Sequence, residues 1–274
     1  FYIRKTDSGW TEPKNIGFPI NSPQDELGLF VSTSGRIAYF SSYKDGNWNI
    51  YSFDLYEEAR PEEVIILKGT VKMEDGSIAK DAKVEIHYDG AEEENKIIAV
   101  NEDDGSYATV VKVKNIDKVS ITVEKEASSF SISRINTSEL LIQADKPVIL
   151  GEIKMQTIKS GGKYILDDIL YETDSYELTI ESKFTLKCFA EYLERNDSYS
   201  INIEGHTDDI GDQNDNLILS QNRAAGVKSY LIELGIDESR LSSIGFGESQ
   251  PKYLNNSSAN RMKNRRTEFE MTIN

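Results

Sequence analysis

The hydrophobic pattern of this 274-residue chain changes its period once, near residue 160, and that change limits the folds it can adopt. Before residue 160, apolar and polar residues alternate in short runs separated by turn residues, which is the pattern of half-buried β-strands. After it, apolar residues recur at helical spacing between short alternating runs. The sequence therefore predicts a multidomain protein that is all-β at first and α/β at its C-terminal end.

The β part divides in two, so we expect three domains, over residues 1–60, 65–155 and 158–274. In the first, turns recur every ~8–12 residues, which is typical of a sandwich or a propeller. A charged segment containing Pro61 separates it from the second, whose alternating runs predict a seven-stranded sandwich. In the third, the order β-α-β-α-β is followed by a loop, a helix and a strand. Its first strand is predicted to extend from Ile165 to Tyr171, and its second helix to end before Gly235.

Lysine and arginine total 31 and aspartate and glutamate total 47, which gives a formal net charge of −16. This balance argues against a nucleic-acid binder or a polybasic membrane-surface protein, because both depend on Lys and Arg. The surplus of negative charge is spread evenly along the chain. Residues 161–274 hold 12 basic and 20 acidic residues, so they carry half of the net charge. We therefore interpret the charge as a solvated surface and expect no nucleic-acid partner.

Composition excludes several other classes. The 38% apolar content is too high for a disordered chain, and no apolar run approaches the ~20 residues of a membrane-spanning helix. The chain opens at Phe1 without a charged-then-apolar leader, so we expect any signal peptide to have been removed or not included. Cys188 is the single cysteine, which excludes an internal disulfide, and we predict a packed thiol. With only two histidines besides, no classical zinc site and no cofactor are predicted.

Two acidic clusters, Glu92–Glu94 and Glu102–Asp104, raise the question of a calcium site. Neither cluster has the alternating carboxylates, the central glycine and the final glutamate of an EF-hand loop. We predict solvated hairpin loops at both places.

A polar loop from Gly205 to Gly211 follows a predicted strand, and the carboxyl end of a strand is a common ligand site in α/β sheets. Asp208 supplies a carboxylate in this loop, and Arg223 lies about two and a half turns into the next helix. If the loop folds back on that helix, the two charges bracket a small cavity suited to a zwitterion. Asp208 could instead form an Asx-turn, and Arg223 a surface ion pair.

These residues resemble the peptidoglycan-associating C-terminal domain shared by OmpA, Pal and MotB, over roughly residues 158–274. The stretches that carry the resemblance are, in order, Ile169–Ser175, Gly205–Gly211, Asn216, Leu219–Ser220, Arg223–Ala224, Phe246–Pro251 and Asn264–Arg266. The resemblance implies that Asp208 and Arg223 grip the zwitterionic end of diaminopimelate in the peptidoglycan stem peptide.

The same resemblance implies roles for four neighbouring residues. Thr207 and Asp209 would line the loop and offer backbone donors, Asn216 would fix the loop or the helix start, and Arg265 would sit at the rim. Asp209 departs from the Asn of many relatives and adds negative charge beside the site. We expect His206 to be a hydrogen-bonding structural residue rather than a catalyst.

The β regions carry two further resemblances. Trp10–Gly17, Tyr39–Ser42 and Asn49–Tyr51 are similar to the PD40 β-propeller repeat, so residues 1–60 are interpreted as the C-terminal remnant of a propeller with its aromatic residues in the core. The second region looks like a carboxypeptidase-regulatory-like, transthyretin-type sandwich, a non-catalytic spacer or binding module, in the stretches Gly69–Val71, Asp81–Ile86 and Asp104–Tyr107. This domain order resembles the PorE-like, cell-wall-anchoring accessory proteins of the type IX secretion system.

Together these features predict a non-enzymatic adaptor in the bacterial periplasm, which links an outer-membrane complex to the cell wall through the peptidoglycan stem peptide. One alternative is a scaffold subunit whose β domains bind outer-membrane or secretion-complex proteins. The other is a wall hydrolase. The sequence offers no credible Ser-His-Asp, Cys-His or metal arrangement for it, but paired carboxylates at glycosidase spacing stay open.

Overall fold

A computed structural model describes the whole chain except residues 7, 45, 89–94, 113–117, 137–145, 167–168, 170 and 172–174. The first region holds a two-stranded sheet and a three-stranded antiparallel sheet in the order β3-β4-β5. Their strands are β1 (Lys5–Thr6), β2 (Gly9–Trp10), β3 (Glu26–Val31), β4 (Ile37–Lys44) and β5 (Asn47–Asp54). Within the described ranges, no helix of the chain has both the length and the apolar character needed to cross a membrane.

Only one face of the β3-β4-β5 sheet is covered. Ala38 on β4 is buried on that face in a small core that includes Ile16 and Leu55, and Phe40 on the same strand is buried with its ring centroid 5.8 Å from that of Phe53. The opposite face leaves large apolar side chains exposed, namely Leu27, Phe30, Ile37, Tyr39, Tyr43, Trp48 and Ile50. The prediction that the aromatic residues of this region form its core is therefore wrong for most of them, because the residues described here cover one face of the sheet alone.

The second region is a sandwich of a four-stranded sheet, ordered β11-β10-β7-β8, and a three-stranded sheet, ordered β12-β6-β9. Its strands are β6 (Val64–Met73), β7 (Lys83–Tyr88), β8 (Lys96–Ala99), β9 (Ser106–Lys112), β10 (Lys118–Glu124), β11 (Ser131–Asn136) and β12 (Val148–Met155). Alternate residues of β9, such as Tyr107 and Val111, face the core, as their spacing predicts. Of the two acidic clusters, Glu102–Asp104 forms an exposed turn, whereas Glu92–Glu94 lies outside the described residues.

The third region is an α/β domain whose sheet has the order β13-β16-β14-β15. Its elements are β13 (Gly162–Ile165), α1 (Ile180–Arg195), β14 (Tyr199–His206), α2 (Gln213–Glu233), β15 (Leu241–Gly247), α3 (Ser258–Asn264) and β16 (Thr267–Ile273). Hydrogen bonds from backbone N–H groups to Thr179 and Asp212 side chains start α1 and α2, and Gly235 follows α2 with φ +102°. The first strand lies earlier than predicted: it extends from Gly162 to Ile165 and shares only Ile165 with the predicted range.

The sandwich has a hydrophobic core of its own, and a few of its side chains also enter the core of the α/β domain. Phe130, which precedes β11, is buried against Phe189 and Tyr192 of α1, with ring centroids 5.7 and 5.6 Å away. The Tyr192 hydroxyl donates to the backbone oxygen of Ser128 at 2.7 Å. Cys188 on the same helix is buried, as predicted, and burial raises the pKa of its thiol to about 12. Helix α1 therefore supports both domains.

Replacing Phe130 with alanine should destabilise the α/β domain and its contact with the sandwich, because it opens a cavity in the core to which Phe130 contributes. We expect a loss of about 3–5 kcal/mol in the free energy of unfolding, measured by chemical denaturation with far-UV circular dichroism. Phe30→Ala is the matched control, since its ring is 73% exposed and its loss should change stability little. Equal losses from the two substitutions would contradict a role for Phe130 in the core of the α/β domain.

Candidate functional site

A cavity of about 690 Å³ lies at the carboxyl end of β14, between the loop that follows this strand and helices α2 and α3. The backbone N–H of Thr207 donates to the Gly247 oxygen at 3.0 Å, which holds the start of the loop against β15. Gly211 has φ +104°, a conformation that glycine adopts without strain, and the chain then enters α2. Five of the six predicted site residues line this cavity: Thr207, Asp208, Asn216, Arg223 and Arg265.

Asp208 is 7% exposed and uses both carboxylate oxygens. Its Oδ1 accepts a hydrogen bond from the Ile210 backbone N–H at 3.1 Å, which is the Asx-turn considered above. Its Oδ2 accepts from Arg265 Nη1 at 2.5 Å, so Arg265 does more than sit at the rim. Asp208 therefore forms the Asx-turn and also places a negative charge in the cavity wall.

Arg223 reaches the cavity from α2 and is held in two ways. Its Nε and Nη2 donate to the backbone oxygen of Ser175 at 3.1 and 2.9 Å. Its guanidinium carbon also lies 4.6 Å from the centroid of the Tyr171 ring, a cation–π contact. The Tyr171 hydroxyl in turn lies 2.9 Å from Thr267 Oγ1, so the ring is itself fixed. This arrangement orients the guanidinium within the cavity wall.

Asn216 ties the loop to the first turns of α2. Its Nδ2 lies 3.4 Å from the Asp208 backbone oxygen and 3.1 Å from that of Ile210. The same nitrogen donates to Glu248 Oε2 at 2.7 Å. Asn216 thus contacts both the loop and the helix start, the two places that the sequence reasoning named.

Thr207 and Asp209 differ in their surroundings. The Thr207 hydroxyl is buried and has no hydrogen-bond partner in the described part of the chain, although it lines a cavity. Asp209 instead pairs with Arg261 of α3, whose Nε lies 2.9 Å from its Oδ1. The sequence reasoning missed Arg261, and its position one helical turn before Arg265 is the signal that could have found it.

His206 is buried beside the cavity, and its ring stacks on that of Phe246 with centroids 5.4 Å apart. Burial, and to a lesser extent the charge of Arg266, lowers the pKa of the imidazole to about 4. Neither ring nitrogen has a hydrogen-bond partner among the residues described. Stacking on Phe246 holds the ring, and the hydrogen-bonding role of this side chain stays a prediction.

The charges around the cavity are mostly positive. Among the described residues, four arginines line it, at positions 223, 261, 265 and 266, and Asp208 is the one carboxylate in its wall. Guanidinium groups bind carboxylates through paired hydrogen bonds, and a buried carboxylate binds an ammonium group. The arrangement can therefore hold a ligand that carries both an ammonium and a carboxylate.

Asn216→Ala should loosen the loop more than it weakens the rest of the domain. Removing the amide leaves the Asp208 and Ile210 oxygens without this donor, and we expect about 1–3 kcal/mol less stability by chemical denaturation. Hydrogen exchange at the Ile210 and Gly211 amides should accelerate as well. Asn214→Ala is the control, because Asn214 is exposed on the same helix. If both variants exchange alike, Asn216 does not hold the loop.

Comparison with known proteins bears on the region that contains this cavity. Residues 170–265 match the sequence profile of the OmpA family. The peptidoglycan-associated lipoprotein of Agrobacterium fabrum is 35% identical over 85 residues, which are 31% of this chain and 48% of that protein. The match thus spans about half the length of that relative and of the next two, also peptidoglycan-associated lipoproteins.

Two solved structures are also similar. The peptidoglycan-associated lipoprotein from Burkholderia pseudomallei is 29% identical, with 38% of this chain and 88% of that chain covered and a TM-score of 0.36. The periplasmic domain of Helicobacter pylori MotB is 27% identical, with 41% and 81% covered and a TM-score of 0.37. Residues 170–265, which contain most of the residues that line the cavity, therefore match the OmpA family and are similar in sequence to peptidoglycan-associated lipoproteins.

Proposed function

We propose that the C-terminal domain binds peptidoglycan without covalent attachment and anchors the protein to the cell wall. The observation that carries this proposal is the cavity in which the Asp208 carboxylate and the Arg223 and Arg265 guanidinium groups meet. The match to the OmpA family and the similarity to peptidoglycan-associated lipoproteins support it. Such an anchor does no chemistry on its ligand, so the proposed role is that of a binding protein and not of an enzyme.

The proposed ligand group is the zwitterionic end of diaminopimelate in the stem peptide. Its ammonium group binds Asp208 and replaces the ion pair that this carboxylate makes with Arg265. The carboxylate of the ligand then binds the Arg223 guanidinium and the released Arg265. The Thr207 hydroxyl, which has no partner among the described residues, supplies a further hydrogen bond from the cavity wall. Because each ligand charge meets a side chain of opposite sign, a ligand with both charges is preferred to one with a single charge.

The proposed location follows from the ligand. A wall anchor acts in the periplasm, and the resemblance of the domain order to type IX accessory proteins favours an outer-membrane complex as the structure that it holds. In this arrangement the α/β domain binds the wall and the β domains face the complex.

Asp208→Asn and Arg223→Gln should each reduce binding to purified peptidoglycan, measured by co-sedimentation over a range of protein concentrations. Asp208→Asn keeps the side-chain acceptor for the Ile210 amide but removes the charge, so the loop is preserved. Losing one charge-assisted hydrogen bond, worth about 1.5–3 kcal/mol, corresponds to roughly a tenfold to hundredfold rise in Kd.

Two variants outside the cavity serve as matched controls for these substitutions. Asp237→Asn removes a carboxylate that accepts hydrogen bonds from Ser239, and Lys228→Gln removes a cation from the same helix as Arg223. Both should bind the wall as the unaltered chain does. If all four variants pellet equally, the proposed site is wrong.

The scaffold role is a second candidate, and the exposed apolar face of β3-β4-β5 favours it. Phe30 and Ile50 on this face are 73% and 78% exposed. A contiguous apolar patch of this kind marks an interaction surface more often than a free one. Phe30→Glu combined with Ile50→Glu should abolish cross-linking to envelope proteins in cells and leave peptidoglycan co-sedimentation unchanged. Unaltered cross-linking would remove this candidate.

A further inference from the structure

A second group of polar side chains lies in the sheet beside the cavity. Glu204 on β14 and Glu268 on β16 are directly opposite each other, and His206 lies two residues further along the same face. All three are buried, at 2%, 7% and 2% exposure respectively. His206 Nε2 is 3.9 Å from Glu204 Oε2 and 3.7 Å from Glu268 Oε2. One potential ligand atom from each residue lies within 4.8 Å of the other two.

The state of His206 is an independent sign that this group binds something. Its imidazole is buried, and across the described ranges neither ring nitrogen finds a hydrogen-bond partner. A buried polar group left in this state is costly, so native proteins rarely contain one without a bound water, ion or ligand nearby. Because Nε2 faces two carboxylate oxygens, the missing partner is a species that all three side chains can bind.

Each of the two carboxylates is already paired with a cation, and the cations differ in how easily a metal ion could replace them. Arg266 Nε donates to Glu268 Oε1 at 2.8 Å, and Lys252 Nζ lies 4.0 Å from this oxygen. The other carboxylate oxygen, Oε2, faces His206. Lys163 Nζ lies 2.6 Å from Glu204 Oε2, the oxygen nearest the imidazole. The Lys163 side chain is 41% exposed, so it can withdraw into solvent without disturbing the core.

We propose that Glu204, His206 and Glu268 form a Zn²⁺ site, which the ammonium group of Lys163 occupies when no metal is bound. One imidazole and two carboxylates suit Zn²⁺, which takes three protein ligands and one open position in its reactive or exchangeable sites. Ligand bonds of about 2.0–2.1 Å place tetrahedral ligand atoms roughly 3.3 Å apart, so the His206 contacts need to shorten by about half an ångström. His206 also lines the cavity, which provides an entry path and a place for the fourth ligand.

This site does not depend on wall binding. It also differs from the sequence expectation, which considered cysteine and histidine ligands and found too few of them. The carboxylates come from strands 64 residues apart in the chain, and only their cross-strand pairing brings them to the same imidazole.

The test is isothermal titration of the full chain with ZnCl₂ after chelator treatment, together with Co²⁺ absorption as a spectroscopic signature. We expect one Zn²⁺ per chain and visible d–d bands of tetrahedral Co²⁺. His206→Ala and Glu268→Gln should each lower the affinity by about tenfold or more, as loss of a ligand or its support does. His87→Ala, which removes the other histidine, should have no effect.

Lys163→Met keeps the proposal falsifiable if the buried variants fail to fold, because Lys163 is partly exposed. Removing the competing ammonium group should raise the Zn²⁺ affinity by about tenfold. This gain is similar in size to the loss of affinity that follows removal of a group that supports a metal ligand. Lys159→Met is the matched control at an exposed lysine nearby, and it should leave the affinity unchanged. Absence of Zn²⁺ binding, binding lost in His87→Ala, or equal affinities in the two lysine variants would each overturn the site.

Discussion

The close packing of α2 on β14 and β15 is the contact on which the C-terminal domain depends. A Cβ at Gly205 would collide with the backbone carbonyl of Ser220, and one at Gly245 with the backbone of Gln221. Since neither residue has a side chain, the helix lies directly on the sheet, and Ser220 Oγ accepts a hydrogen bond from the Gly247 amide at 2.8 Å. This packing sets where α2 begins and therefore where the preceding loop must turn.

The functional chemistry of the domain depends on local charge pairing rather than on the net charge of −16. Around the cavity, arginines pair with Asp208 and Asp209, and in the proposed mode of binding a ligand exchanges one ion pair for another. In the sheet beside it, Glu204 and Glu268 are each paired with a cation at a shorter distance than either has to His206. Buried charges of this kind require partners, because their desolvation is costly. In both places the existing partner is one that a ligand or a metal ion would replace.

Much of the fold could be predicted from the sequence because hydrophobic period and turn residues are local signals. Helix α2 ends before Gly235, and β14 leads into the polar loop, both as predicted. The sequence could not predict how many faces of the β3-β4-β5 sheet are covered. The alternation of side chains from Trp48 to Phe53 is the same whether one face or both faces are buried. The insertion of Phe130 into the core of the α/β domain was also beyond prediction, because it depends on how two domains meet.

The sequence by itself determined that the chain ends in an α/β domain with a polar loop after a strand, and it singled out Asp208, Arg223 and their neighbours. It did so because strand, turn and helix signals depend on residues close together in the chain. The tertiary structure decided which charges pair: Asp208 with Arg265, Asp209 with Arg261, and Glu204 with Lys163. It also decided that His206 is buried without a hydrogen-bond partner among the described residues. The two members of each of the three charge pairs are 41 to 57 residues apart in the chain, so only the folded sheet and helices set the distance between them.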